Sequence, residues 1–112
     1  MKIFLFSLFI GLTSQISFVK VLEKDNFQVL MQQKSQVIDV RTPEEYALGY
    51  IDGAILIDYK ASDFQASISA LNRNVTYLIY CRSGNRSGKA SIIMDSLGFK
   101  KIYDLKGGYM NW

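Results

Sequence analysis

Apolar residues in this chain form short blocks, and between the blocks they recur with a helical period. Val37-Ile38-Asp39-Val40, Ala54-Ile55-Leu56-Ile57 and Val75-Thr76-Tyr77-Leu78-Ile79-Tyr80 are runs rich in β-branched and aromatic residues. Their length and composition predict buried strands. Phe18-Val19-Lys20-Val21-Leu22 and Lys101-Ile102-Tyr103 predict two more. Between these runs lie three sets, Phe27, Leu30 and Met31, then Phe64, Ile68 and Leu71, then Ala90, Ile93, Met94 and Leu97. Each set is spaced so that its members share one helical face. Helix starts are signalled by Asp25 with Gln28, by Thr42-Pro43 with Glu45, and by Ser62 with Gln65. In each case a short polar side chain can cap the first turn while the residue three places on reaches back. The last helix is expected from about Ser87 to Leu97. Gly49 and Gly98 stand where helices should stop, and Gly107-Gly108 turns the chain into its final residues.

Apolar strands alternating with amphipathic helices imply parallel strands covered on both faces. The expected fold class is therefore α/β, with a central parallel sheet of about five strands and helices on both faces. Ligands of such sheets sit beyond the C-terminal ends of the strands. The segment after Tyr80 is where chemistry is expected.

The first seventeen residues have a different texture. Lys2 is their one charge, followed by the apolar run Ile3 to Leu12 and the polar exit Thr13-Ser14-Gln15-Ile16-Ser17. A basic start, a short apolar core and a small polar exit describe a secretory signal peptide. Ten residues of helix reach about 15 Å, half of the about 30 Å needed to cross a bilayer core. The expectation is residues 1–17 as a signal peptide, residues 18–112 as one domain, a periplasmic or secreted protein, and no stable membrane insertion after cleavage.

Composition removes several chemistries. The chain has no histidine and one cysteine, which excludes a Ser-His-Asp or Cys-His relay, a His-based zinc site and an internal disulfide. No metal or other cofactor is expected. The net charge of +3 reads as an ordinary solvated surface, so no nucleic-acid partner is expected.

The single cysteine opens the loop after the longest strand run: Cys81-Arg82-Ser83-Gly84-Asn85-Arg86-Ser87-Gly88. A lone cysteine is usually a small buried hydrophobe. Here a helix begins a few residues later, so peptide N–H groups can converge on the sulfur, and a helix N-terminus favours an anion. Gly84 and Gly88 permit tight curvature, and Arg82 and Arg86 add positive charge. Each effect favours thiolate, so Cys81 is a candidate nucleophile activated without histidine. Two chemistries compete for such a loop. A tyrosine-phosphatase-like site has Cys-x5-Arg around a phosphate, with a separate leaving-group acid for which Asp39 or Asp104 could at best stand in. Here Arg86 follows Cys81 after four residues, a smaller cradle suited to one extra sulfur atom held as a persulfide.

Four segments together resemble a known family. Val37-Ile38-Asp39-Val40-Arg41-Thr42-Pro43-Glu44-Glu45-Tyr46, Gly49-Tyr50-Ile51-Asp52-Gly53-Ala54, Cys81 to Ser87, and Gly107-Gly108-Tyr109-Met110-Asn111-Trp112 are similar, in order and spacing, to motifs of single-domain rhodaneses, the thiosulfate sulfurtransferase homologues. Tyr50 departs from the pattern, standing where the family usually has histidine. The resemblance implies a rhodanese-like fold and a sulfurtransferase. Cys81 would take a sulfane sulfur from a small anionic donor such as thiosulfate and pass it to cyanide, a thiol or a protein acceptor. Arg82, Ser83, Gly84, Asn85, Arg86 and Ser87 would bind the substrate and the persulfide, with Arg82 steering the donor and Arg86 either doing the same or bracing the loop. Asp39 and Arg41 are expected as structural support, Asp39 holding Arg86 or loop N–H groups and Arg41 pairing with Glu45. Tyr109 and Trp112 are expected as core anchors. The alternatives are a non-catalytic rhodanese-like sulfur carrier or protein-binding module and, behind it, a Cys-dependent phosphatase.

Overall fold

A computed structural model of the chain describes residues 17–112. The expected signal segment therefore lies, apart from Ser17, outside the described residues. The elements run β1 (Val19–Leu22), α1 (Lys24–Met31), β2 (Ser35–Asp39), α2 (Pro43–Ala47), β3 (Ile55–Leu56), α3 (Phe64–Ser69), β4 (Thr76–Tyr80), α4 (Asn85–Ser96), β5 (Ile102–Leu105) and a closing 3-10 turn, Gly108–Asn111. The five strands form one sheet in the order β1-β5-β4-β2-β3, and every pairing is parallel. This is the α/β architecture expected from the alternating runs.

Side chains of a strand alternate between faces, and the two faces bury separate cores. On one face Ile38, Val40, Ile79, Cys81 and Ile102 pack under Phe64 and Ile68 of α3 and Ala90 and Met94 of α4. On the other, Val37, Leu78, Tyr80 and Leu105 pack against Phe27 of α1 with Ile51 and Ala54. Trp112 sets its ring edge-on to Phe27 at 6.0 Å between centroids. The central strand β4 is buried on both sides from Tyr77 onward, which explains its unbroken apolar run.

Boundaries differ from the sequence expectation where tertiary pairing outweighs local signals. β2 starts at Ser35 because its register opposes Ser35 to Thr76 and Gln36 to Tyr77. Val40 lies past the strand, yet its N–H still donates to the Tyr80 carbonyl at 3.0 Å. β3 shrinks to two residues, and β5 extends through Asp104 and Leu105. The caps expected at Asp25 and Ser62 do not form: α1 starts at Lys24 and α3 at Phe64, neither with a side-chain cap bond. The capping box of α2 does form. The Glu45 N–H donates to Thr42 Oγ1 at 3.3 Å and the Thr42 N–H donates to Glu45 Oε1 at 3.1 Å.

Candidate functional site

Cys81 is the first residue beyond β4 and is 1% exposed. The Gly84 N–H donates to its Sγ at 3.1 Å. Gly84 has φ +110°, a conformation that side chains with a Cβ rarely adopt, and this turn swings the chain directly into α4. The helix starts at Asn85, two residues earlier than its apolar repeat suggests, because the repeat marks only the packed face. The loop proper is thus short, and Arg86 and Ser87 belong to the first helical turn. N–H groups there have no partner within the helix and carry its positive end. Burial pushes the Cys81 thiol up. The Ser87 hydroxyl and the N–H groups of Ser87, Gly84 and Ser83 outweigh it, and the thiol sits below its ordinary range.

The two arginines of the loop have different surroundings. Arg82 is exposed and makes no ion pair among the described residues. Arg86 forms a two-pronged bridge to Glu45, Nη1 to Oε1 at 2.6 Å and Nη2 to Oε2 at 3.0 Å. The Arg86 bridge, after which come the Thr42 contacts, holds the Glu45 carboxyl down at about 2 against the opposing effect of burial. One carboxylate therefore ties the start of α2 to the start of α4. Spacing could identify Glu45 as a cap but not show its second partner, which lies 41 positions away.

Asp39 and Arg41 pair with each other, which corrects the partners expected from sequence. Arg41 donates from Nε to Asp39 Oδ1 at 3.0 Å and from Nη2 to Oδ2 at 2.7 Å. The Tyr80 hydroxyl donates to Asp39 Oδ2 at 2.6 Å. Asp39 is thereby turned away from Arg86, and Glu45 away from Arg41. Arg41 also donates from Nη2 to the Gly49 carbonyl at 2.7 Å, and its guanidinium lies 4.3 Å from the centre of the Tyr109 ring. Tyr50 stacks on Tyr46 at 4.1 Å, so an aromatic contact occupies the position where the resemblance leads one to look for histidine.

The closing turn supports the loop from behind. The Tyr109 N–H donates to the Cys81 carbonyl at 2.8 Å and the Met110 N–H to the Arg82 carbonyl at 3.0 Å. Gly108 has φ +61°, and a Cβ there would stand 2.5 Å from the Cys81 and Arg82 carbonyl oxygens. Beside Arg82 opens a recess of about 250 Å³ lined by Arg41, Glu45, Leu48, Gly49, Arg82, Tyr109 and Met110. Cys81 lies below this surface rather than in the recess wall. Ser83 and Asn85 are exposed on the loop, whereas Ser87 is fully buried beneath it.

Comparison with known proteins agrees with the geometry. The family model described as "Rhodanese-like domain" matches residues 23–112. A thiosulfate sulfurtransferase (GlpE) of Pseudomonas fluorescens is 34% identical over 94 residues, covering 83% of this chain and 84% of that protein. A rhodanese-like domain protein from Staphylococcus aureus superposes with a TM-score of 0.74 at 30% identity, covering 83% of this chain and 90% of its own. The human single-domain sulfurtransferase gives a TM-score of 0.68 at 26% identity, covering 82% and 93%. A parallel five-stranded sheet, a cysteine at the end of its central strand and a family match across nearly all described residues lead to one assignment: this chain belongs to the rhodanese-like domain family.

Proposed function

We propose that the protein is a sulfurtransferase that moves a sulfane sulfur from an anionic donor such as thiosulfate to cyanide, a thiol or a protein acceptor through a persulfide on Cys81. The observation that carries this is the Gly84 N–H donated to the buried Cys81 sulfur at the start of α4: a sulfur so placed is built to hold negative charge, and the lowered thiol agrees with it. In the first step the thiolate attacks the outer sulfur of thiosulfate. A bond forms between Sγ and that sulfur, the donor S–S bond breaks, and its electron pair leaves with sulfite. The acceptor then attacks the outer sulfur, and the Cys81 thiolate is restored. The same amides face the sulfur throughout, so the stabilising dipoles need no rearrangement between steps. Arg82 steers the donor, whereas Arg86, neutralised by Glu45, braces the loop.

The phosphatase reading has less support. Asp39 is engaged by Arg41 and Tyr80 and Asp104 is buried, so neither offers an acid at the loop's mouth. A non-catalytic module separates from the enzyme in one assay. Purified protein with thiosulfate and cyanide is expected to form thiocyanate, with an adduct of about 32 Da, one sulfur atom, on Cys81 after exposure to donor alone. Cys81→Ala should abolish both; thiocyanate formation that survives in it would end this reading. We further propose residues 1–17 as an export signal. Fractionation of cells making the whole chain should recover a shortened protein outside the cytoplasm, and full-length protein retained inside would refute export.

A further inference from the structure

A chain without histidine must still place the proton that leaves the Cys81 thiol. Asp104 lies where it can take it. β5 pairs with β4 so that Asp104 opposes Ile79, two residues before Cys81. Strand alternation therefore puts Asp104, Ile79 and Cys81 on one face of the sheet, beneath α4. The first turn of α4 crosses directly over the acid: a Cβ on Gly88 would be 3.9 Å from Asp104 Oδ2. Ser87, the residue before Gly88, is fully buried, and Asp104 is 5% exposed. Asp104 Oδ1 and Ser87 Oγ are both sealed from solvent, and neither has a hydrogen-bond partner among the described residues. Burial without a partner is costly for such atoms, so both are free to engage a proton that moves between them. Ser87 stands between them in the fold: it belongs to the first turn of α4, which crosses Asp104, and it is fully buried at the end of the loop that Cys81 opens.

We infer that Asp104 is a positioning residue that holds the proton given up by Cys81, reached through the Ser87 hydroxyl. The Cys81 S–H bond breaks as its proton passes to Ser87 Oγ, and the Ser87 hydroxyl proton passes on to Asp104. The products are a thiolate and a neutral carboxylic acid, with no net change in charge. The acid then donates to Ser87 Oγ, and Ser87 donates to the sulfur anion. Burial pushes Asp104 up to about 6, with Ser87 pulling the other way, which brings an aspartate into the range where such an exchange is balanced. The groups facing Asp104 are Ile79 and Cys81 from the β4 side, its register partner Val21 from β1, and Ser87 and Gly88 from α4. Of these only Cys81 titrates, and burial and the Ser87 hydroxyl are the causes of the Asp104 shift. The inferred exchange makes the two groups share one proton, and sharing it makes them titrate as a pair.

This inference deepens the sulfur-transfer reading and rests on it for its purpose, but its test uses no sulfur transfer. In wild type, the rate of Cys81 alkylation by iodoacetamide should rise with pH in two steps, because coupled protons leave in two stages. Asp104→Asn should collapse the profile to one step, and Ser87→Ala should do the same with the carboxyl intact. The Asp104 carboxyl resonance, followed by carbon NMR, should show two steps in wild type and one in Cys81→Ala. The wild-type resonance needs no folded variant. A single wild-type step in both readouts, or an Asp104→Asn profile that keeps both steps, overturns the inference. Failure to form thiocyanate while the two-step titration stands removes the proposed function instead.

Discussion

Residue by residue, the charged groups near the site divide into those facing solvent and those locked inside, and the second kind carries the larger energies. Asp39 is wholly buried and takes hydrogen bonds from Arg41 and Tyr80. Removing one partner of a buried ion pair leaves the other charge uncompensated, at a cost of about 3–5 kcal/mol. Asp39→Asn keeps the shape and loses the charge, so it is expected to cost about 3 kcal/mol in urea unfolding, near the low end of that range. A change below about 0.5 kcal/mol, the size of an ordinary surface substitution, would show that the pair is not structural. That Asp39 and Arg41 matter was readable from their place at a strand end. Their partners were not, because i to i+2 pairing across a strand exit depends on how the chain turns. Cys81 was the easiest residue to find and the hardest to judge, since its burial suits a core residue as well as a nucleophile. The Gly84 N–H on its sulfur separates the two.

At the scale of elements, the loop is held between α4 in front and the closing turn behind. The start of α4 is fixed by the Arg86–Glu45 bridge to α2, and the rear by two N–H groups of the 3-10 turn that bond the carbonyls of Cys81 and Arg82. Gly108 is the pivot, because its positive φ and its 2.5 Å approach to the loop backbone both exclude a side chain. Gly108→Ala must either shift the turn or strain it. Overpacking of this kind costs about 1–3 kcal/mol, with roughly 1–2 kcal/mol more for a left-handed residue with a Cβ. The variant is expected to lose thiocyanate-forming activity more than tenfold and to unfold at lower urea. Full activity with unchanged stability would show that the turn does not brace the loop. The Gly107-Gly108 pair was visible in the sequence as a turn, but its contact with a loop 26 positions earlier was not. The same limit explains the boundaries. β2 gains Ser35 and Gln36 from its pairing with β4, and α4 gains its first turn from Gly84. Periodicity sees only the residues that face the core.

For the whole molecule, two carboxyls with opposite shifts shape how stability responds to acid. Glu45 is held at about 2 in the fold, chiefly by Arg86, against 4.5 as the ordinary value. Its contribution is present above about pH 4.5 and is lost as pH falls through 2. Its side chain is 28% exposed, so solvent screening reduces that contribution to about 1 kcal/mol. Asp104 runs the other way. Burial raises it from 3.8 to about 6, so the folded state binds the proton more tightly than the unfolded chain does. Its contribution is full below about pH 3.8 and is lost as pH rises through 6, roughly 2–3 kcal/mol by neutrality. Between pH 4 and 5 the two groups oppose each other, and from pH 5 to 7 only Asp104 changes stability, lowering it. Urea unfolding across that interval should show wild-type stability falling as pH rises. In Asp104→Asn the fall should disappear, leaving the variant more stable than wild type at pH 7 by roughly the same 2–3 kcal/mol. A flat wild-type curve, or an equal fall in the variant, would show that Asp104 is not the buried acid described. If the fall is found, the fold keeps at neutral pH an ionisable group that an uncharged isostere would improve upon, beneath the one cysteine. Stability given up at a buried polar group beside a reactive centre is the usual mark of a group kept for chemistry, which gives Asp104 a reason to be there that packing alone does not.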